Sequence, residues 1–169
     1  MPDQPSLELM LLRDQLEHYR LQRHDFLNHW QVIMGYLQLG KTESALNYMK
    51  KGLNGLMAEQ NIGQIPQEAV AAVFLSFVIE LRKEAVEVTV ELDHWVKDAN
   101  FWEEFWQEEY AQALYGYTKD SLNYLMARKP GLKEPQLIIR LNRDKPLICE
   151  LTLRDGEPEI WVDSFSLYT

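Results

Sequence analysis

Apolar side chains return at Leu9, Leu12, Leu16, Tyr19, Phe26, Trp30, Ile33 and Leu37, alternately three and four residues apart, with Arg23 the single polar member of the series. A stripe of that period can be buried only along one side of a long α-helix, so this part of the chain is restricted to a helix lying against other helices. Gly40 stands where such a helix would end, and Thr42, followed by Glu43, suits the start of another. The second helix repeats the spacing at Leu46, Met49, Leu53 and Leu56, although Gly52 and Gly55 each weaken it by about 1 kcal/mol relative to alanine. The pair reads as a helical hairpin. Leu27 and Met34 widen the apolar surface of the first helix beyond what one neighbour covers. Two hairpins related by a two-fold axis would close a four-helix bundle, so a homodimer is expected. The competing arrangement packs the hairpin on the rest of its own chain.

"NIGQIPQ" at 61–67 brings Asn, Gly and Pro close together and marks a joint. It divides a hairpin domain, 1–62, from a second domain, 63–169. Beyond the joint, 68–83 is apolar nearly all round, as in a buried helix, whereas "VEVTVELD" alternates and reads as a half-exposed strand. A long aromatic helix is expected over about 101–127 on helical spacing of its aromatic residues. "PGLKEP" then breaks the chain before the strand "QLIIRL", a short "NRDKP" turn, the strand "LICELTL" with Leu147, Cys149, Leu151 and Leu153 on one face, and "EIWV". The fold class is therefore α+β: a helical hairpin followed by a small α/β sandwich with helices on one face of a mixed sheet.

Charge and cysteine content narrow the function. With 26 acidic against 17 basic residues the net charge is -9, which opposes a general attraction to nucleic acid or to an anionic membrane and leaves proteins as the expected partners. Cys149 is the only cysteine, so an internal disulfide and a thiolate metal cluster are both excluded, and a reducing, cytoplasmic location is expected. The apolar run "AVAAVFLSFVI" at 69–79 ends at Glu80, short of the roughly 20 residues a membrane span needs. "MPDQPS" lacks the basic-then-apolar pattern of a secretion signal.

The chemistry-bearing stretch is "RHDFLNHW", 23–30. With Arg23 and Phe26 on the seam, His24 falls about 100° round the helix, on an accessible face. Arg20, Leu27, Asn28 and Gln31 share that face, being three, four or seven residues away. An imidazole is a nucleophile that needs no metal, Arg20 can pair with phosphate oxygens, and Asn28 can offer an amide hydrogen bond. Asp25 is off the face, but its carboxylate can bend back to one ring nitrogen and leave the other free to attack. Set against this, a His-Asp pair on a helix usually marks only a solvated surface. His18, His29 and His94 make no i, i+4 pair of the kind a helical metal site uses, and are read as structural. No Gly-x-Ser-x-Gly and no phosphate-cradling glycine loop is present.

The run "RHDFLNHWQVIMGYLQLGK", 23–41, closely resembles the phosphoacceptor helix of the sporulation phosphotransferase B family and of related sensor histidine kinases. His-Asp-Phe, Asn28, "QVI" and "GYLQLGK" carry the likeness. The resemblance implies a dimeric four-helix bundle in which His24 takes a phosphoryl group from one response-regulator receiver domain and passes it to another. It also implies that the receiver brings the Mg²⁺ and that the chain needs no cofactor of its own. In the second domain, the place where such kinases look like "ENA" is filled by Asp120, Ser121 and Leu122. "DGEPEI" at 155–160 stands where they look like "DNGPGI", with Glu157 and Glu159 at the glycine positions, and two carboxylates there would repel phosphates. The second domain thus resembles a histidine-kinase ATPase domain that has lost ATP.

Two functions are consistent with these features. One is a histidine phosphotransferase of a sporulation-type phosphorelay, with His24 as carrier, Asp25 orienting the ring, and Arg20, Arg23, Leu27, Asn28 and Gln31 contacting phosphate or partner. The other is a non-enzymatic dimeric regulator that docks a response regulator or a kinase with the same surface.

Overall fold

A computed structural model describes residues 5–143 and 147–167. The chain divides into two compact units, Met1–Met57 and Ala58–Thr169, with the division inside the second helix.

The first unit is built from α1 (Leu7–Gln38) and the larger part of α2 (Thr42–Ile62). Ser6 starts α1, its hydroxyl accepting from the Leu9 N–H. The end of α1 is a Schellman closure: Lys41 N–H donates to Tyr36 C=O and Gly40 N–H to Leu37 C=O. Gly40 sits at φ +69°, a left-handed conformation that a residue without a Cβ adopts at little cost. The two helices touch through residues beside the seam. The His29 ring and the Tyr48 hydroxyl are 2.8 Å apart, and the Tyr36 and Tyr48 rings pack with centroids 6.2 Å apart.

The expected seam does not serve that contact. Leu12, Leu16, Tyr19, Phe26, Trp30 and Leu37 are exposed, as are Leu46, Met49, Leu53 and Leu56 on α2. A hairpin has a single internal line of contact, and here it runs along the His29 and Tyr36 side. The seam is left outward.

The second unit adds α3 (Glu68–Lys83), β1 (Glu87–Leu92), α4 (Ala99–Phe105), α5 (Glu109–Arg128), β2 (Pro135–Asn142), β3 (Leu147–Asp155) and β4 (Glu159–Leu167). Short 3₁₀ turns occupy His94–Lys97 and Lys129–Gly131. The sheet has the order β1-β2-β3-β4, with β1 parallel to β2 and the other pairs antiparallel. Strand alternation sorts its faces. Leu137, Ile139 and Leu141 of β2 stand opposite Leu153, Leu151 and Cys149 of β3, and all six are buried. The other face carries charge: Arg140 donates to Glu91 Oε2 at 2.6 Å and to Glu150 Oε1 at 3.2 Å.

α3 packs on α5 and on β1, and Val70, Val73, Phe74 and Leu81 are at most 1% exposed. Burying each such side chain contributes about 1.5–3 kcal/mol. The end of α3 repeats the closure of α1, with Val86 N–H on Leu81 C=O and Ala85 N–H on Arg82 C=O, but alanine holds the left-handed position at φ +55°.

The long aromatic helix expected over 101–127 is two helices. α4 ends at Phe105 and α5 begins at Glu109, with Trp106 extended at ψ 137°. The break lets the aromatic residues fold onto one another: Phe105 stacks on Tyr110 at 5.3 Å, and Trp106 meets both Trp102 and Tyr110 edge-on at 5.9 Å. The strand expected at "EIWV" extends further, to Leu167. Residues 144–146 of the expected "NRDKP" turn lie outside the described residues.

Candidate functional site

His24 lies midway along α1, with its side chain 72% exposed. Helix geometry puts Asn28 one turn further on the same face, and its amide nitrogen is 3.1 Å from His24 Nδ1. Asp25 bends back toward the same atom, with Oδ1 3.5 Å from Nδ1. Three of the singled-out side chains therefore converge, and both neighbours meet one ring nitrogen.

The remaining candidates stand around this cluster. Arg20, Leu27 and Gln31 are exposed. Arg23 turns away from the imidazole onto Tyr19, donating from Nη1 to the Tyr19 hydroxyl at 3.4 Å with its guanidinium 5.9 Å from the ring centroid. Tyr19 was expected as a seam residue and not as a neighbour of the site; the signal was available as an aromatic residue one turn before an arginine. His94 Nδ1 is 2.8 Å from Asp93 Oδ1, beside the Trp95 ring.

Among the described residues, no group of three or more His, Cys, Asp or Glu side chains is placed to hold a metal.

Of the positions compared with nucleotide boxes, Asp155 is engaged by backbone N–H groups, whereas Glu157 and Glu159 are exposed. "DGEPEI" forms the β3–β4 hairpin turn, closed by Asp155 N–H on Pro158 C=O at 3.1 Å. Asp155 Oδ1 accepts from the Lys133 and Glu134 N–H groups at 2.9 and 2.6 Å. On α5, Ser121 is buried and Asp120 exposed. The face of α5 toward β4 is filled by stacked rings, Tyr117 on Phe165 and Tyr124 on Trp161, each 4.7 Å apart. The Tyr117 hydroxyl donates to Asp163 Oδ2 at 3.1 Å. Burial, reinforced by Cys149 and Asp163, pushes the Tyr117 phenol far above its ordinary value.

The fold and the site define a class: a helical hairpin presenting a histidine to solvent, followed by an α+β unit. Residues 6–65 match the family model for the alpha-helical domain of SpoOB-type sensor kinases, and so are similar to a domain of two-component signalling proteins. The match covers α1, α2 and the start of the loop before α3. Among curated proteins, none matches the chain. Among the described residues, no helix is long and apolar enough to cross a membrane.

Proposed function

We propose that the chain is a histidine phosphotransferase that relays a phosphoryl group between response-regulator receiver domains through His24. The observation that carries this reading is an exposed imidazole with Nδ1 approached by two neighbours, on a helix within the SpoOB-type match. Positioning supplies most of the rate in phosphoryl transfer, so a carrier needs an accessible nucleophile and a partner that aligns the phosphorus.

His24 is the nucleophile and Asp25 orients the ring. Arg20 and Gln31 meet phosphate or partner, Leu27 meets the partner, and Arg23 is held ready by Tyr19. The receiver domain brings Mg²⁺, and the chain supplies no cofactor. Residues 1–62 form the dimerisation and phosphoacceptor domain. Residues 63–169 form an accessory domain of ATPase-like descent without ATP chemistry, in keeping with an Asp155 carboxylate committed to backbone N–H groups. A second copy covers the outward seams of α1 and α2, whose exposed leucines are the support for a homodimeric four-helix bundle.

The test is incubation with a phosphorylated receiver domain and Mg²⁺. Acid-labile label should appear on the chain and then on a second receiver, and His24→Gln should abolish it while leaving the sedimentation coefficient unchanged. The exposed seams equally suit a regulator that docks without chemistry. Stable complexes with receivers and no label would establish that second reading, and label from ATP alone would overturn both.

A further inference from the structure

Two groups with opposite demands meet at His24 Nδ1. The Asp25 carboxylate is an acceptor only, so it is satisfied when Nδ1 carries the proton. The Asn28 amide presents its nitrogen to the same atom, and an amide N–H can bond there only when Nδ1 is a bare lone pair. A neutral imidazole has one N–H. The arrangement that satisfies Asp25 leaves Nε2 with its lone pair, whereas the one that satisfies Asn28 puts the proton on Nε2. Only the first can attack phosphorus through Nε2. Distance favours the Asn28 arrangement at rest: Nδ1 is 3.1 Å from the Asn28 amide nitrogen and 3.5 Å from Asp25 Oδ1.

Building on the phosphotransfer reading of His24, we propose that Asn28 is a positioning residue that latches the tautomer of that ring. At rest its amide holds the ring in the Nε2–H form, which cannot attack. An incoming phosphoryl group is anionic and accepts an amide N–H about twice as strongly as a neutral acceptor. It draws the amide off Nδ1, Nε2 releases its proton to water as Nδ1 takes one up, and Asp25 holds the new Nδ1–H. The Nε2 lone pair then forms the N–P bond while the P–O bond to the receiver aspartate breaks, its electron pair leaving with the carboxylate. The phosphorylated ring keeps Nδ1–H facing Asp25. The carrier is thus set for attack by the arrival of its cargo.

Long-range ¹H–¹⁵N spectra of the full chain test this, with His24 assigned by loss of its signals in His24→Gln. The wild type should show an unprotonated Nδ1 and a protonated Nε2. Asn28→Ala should draw the two nitrogen shifts together as the Nδ1–H form gains population, and adding Asp25→Ala should undo that change. Phosphoramidate, a small donor with no docking surface, should label Asn28→Ala faster than wild type. The latch is overturned by nitrogen shifts that do not move in Asn28→Ala, by a wild type protonated at Nδ1, or by an equal or slower phosphoramidate rate. None of these results bears on whether receivers load His24, which the receiver assay reads separately.

Discussion

The two units treat the same residues in opposite ways. In Ala58–Thr169, Leu114, Leu137 and Leu141 are 0% exposed, whereas Leu12, Leu16 and Leu53 of Met1–Met57 are 52%, 49% and 61% exposed. A sheet with helices over one face has enough surfaces to close a core within one chain. A two-helix hairpin does not: each helix has one line facing its neighbour, and the seam beside that line stays exposed. The second unit buries its core within one chain, whereas the first, on the proposed reading, is completed by a copy of itself.

The largest expected effect tests that contrast directly. Leu114→Ala should lower the stability of the second unit by about 2–5 kcal/mol at any protein concentration, the range for deleting a buried leucine. Leu16→Ala, at an exposed position, should change the unfolding of dilute protein by no more than about 0.5 kcal/mol. With rising concentration its deficit should grow, because a subunit contact stabilises by mass action. Denaturant unfolding over a hundredfold concentration range reads both. A Leu16→Ala deficit that ignores concentration would mean that the seam is not an intersubunit surface.

A smaller effect is expected from alkali and belongs to the second unit. Burial raises the Tyr117 phenol above its unfolded value near 10 and the Cys149 thiol above its ordinary value near 9. Each folded-state group therefore keeps its proton after the unfolded chain has released it. The stability tied to Tyr117 is whole below about pH 10, and is lost as pH rises from there through the folded value. Urea unfolding between about pH 8 and pH 11 should show this decline, and Tyr117→Phe should flatten its Tyr117 share while losing the bond to Asp163. An unchanged alkaline slope in Tyr117→Phe would remove that assignment.

The smallest effects compare two helix ends of the same geometry. Gly40 closes α1 and Ala85 closes α3, both left-handed. Gly40→Ala should cost about 1 kcal/mol, and Ala85→Gly should gain a few tenths to about 1 kcal/mol, relief of the Cβ clash being offset in part by the greater freedom of unfolded glycine. Thermal melts of the two variants should move in opposite directions.

Much of the fold was legible where periodicity is strong. The helix α1, the buried helix α3 and the alternation of Leu147, Cys149, Leu151 and Leu153 are all readable from spacing. The break after Phe105 was not, because Trp102, Trp106 and Tyr110 keep a helical interval straight across it and no proline or glycine marks it. The length of β4 was hidden by Asp163, Ser164 and Ser166, whose polarity interrupts the pattern until Tyr117 is seen to reach Asp163. At the candidate site, spacing alone puts Asn28 one turn from His24. It is silent on Arg23 folding onto Tyr19, because side-chain rotation leaves no trace in residue order.

Residue order by itself determined the two N-terminal helices, the first three strands and the helix face on which His24 stands, because helix and strand periods are properties of the local backbone. Only the tertiary structure decided that the seam faces outward, that two helices replace one beyond Ala99, and that Asp25 and Asn28 converge on a single nitrogen. Burial and hydrogen-bond partnership depend on where side chains and other segments come to rest in space, and a local period carries no information about that.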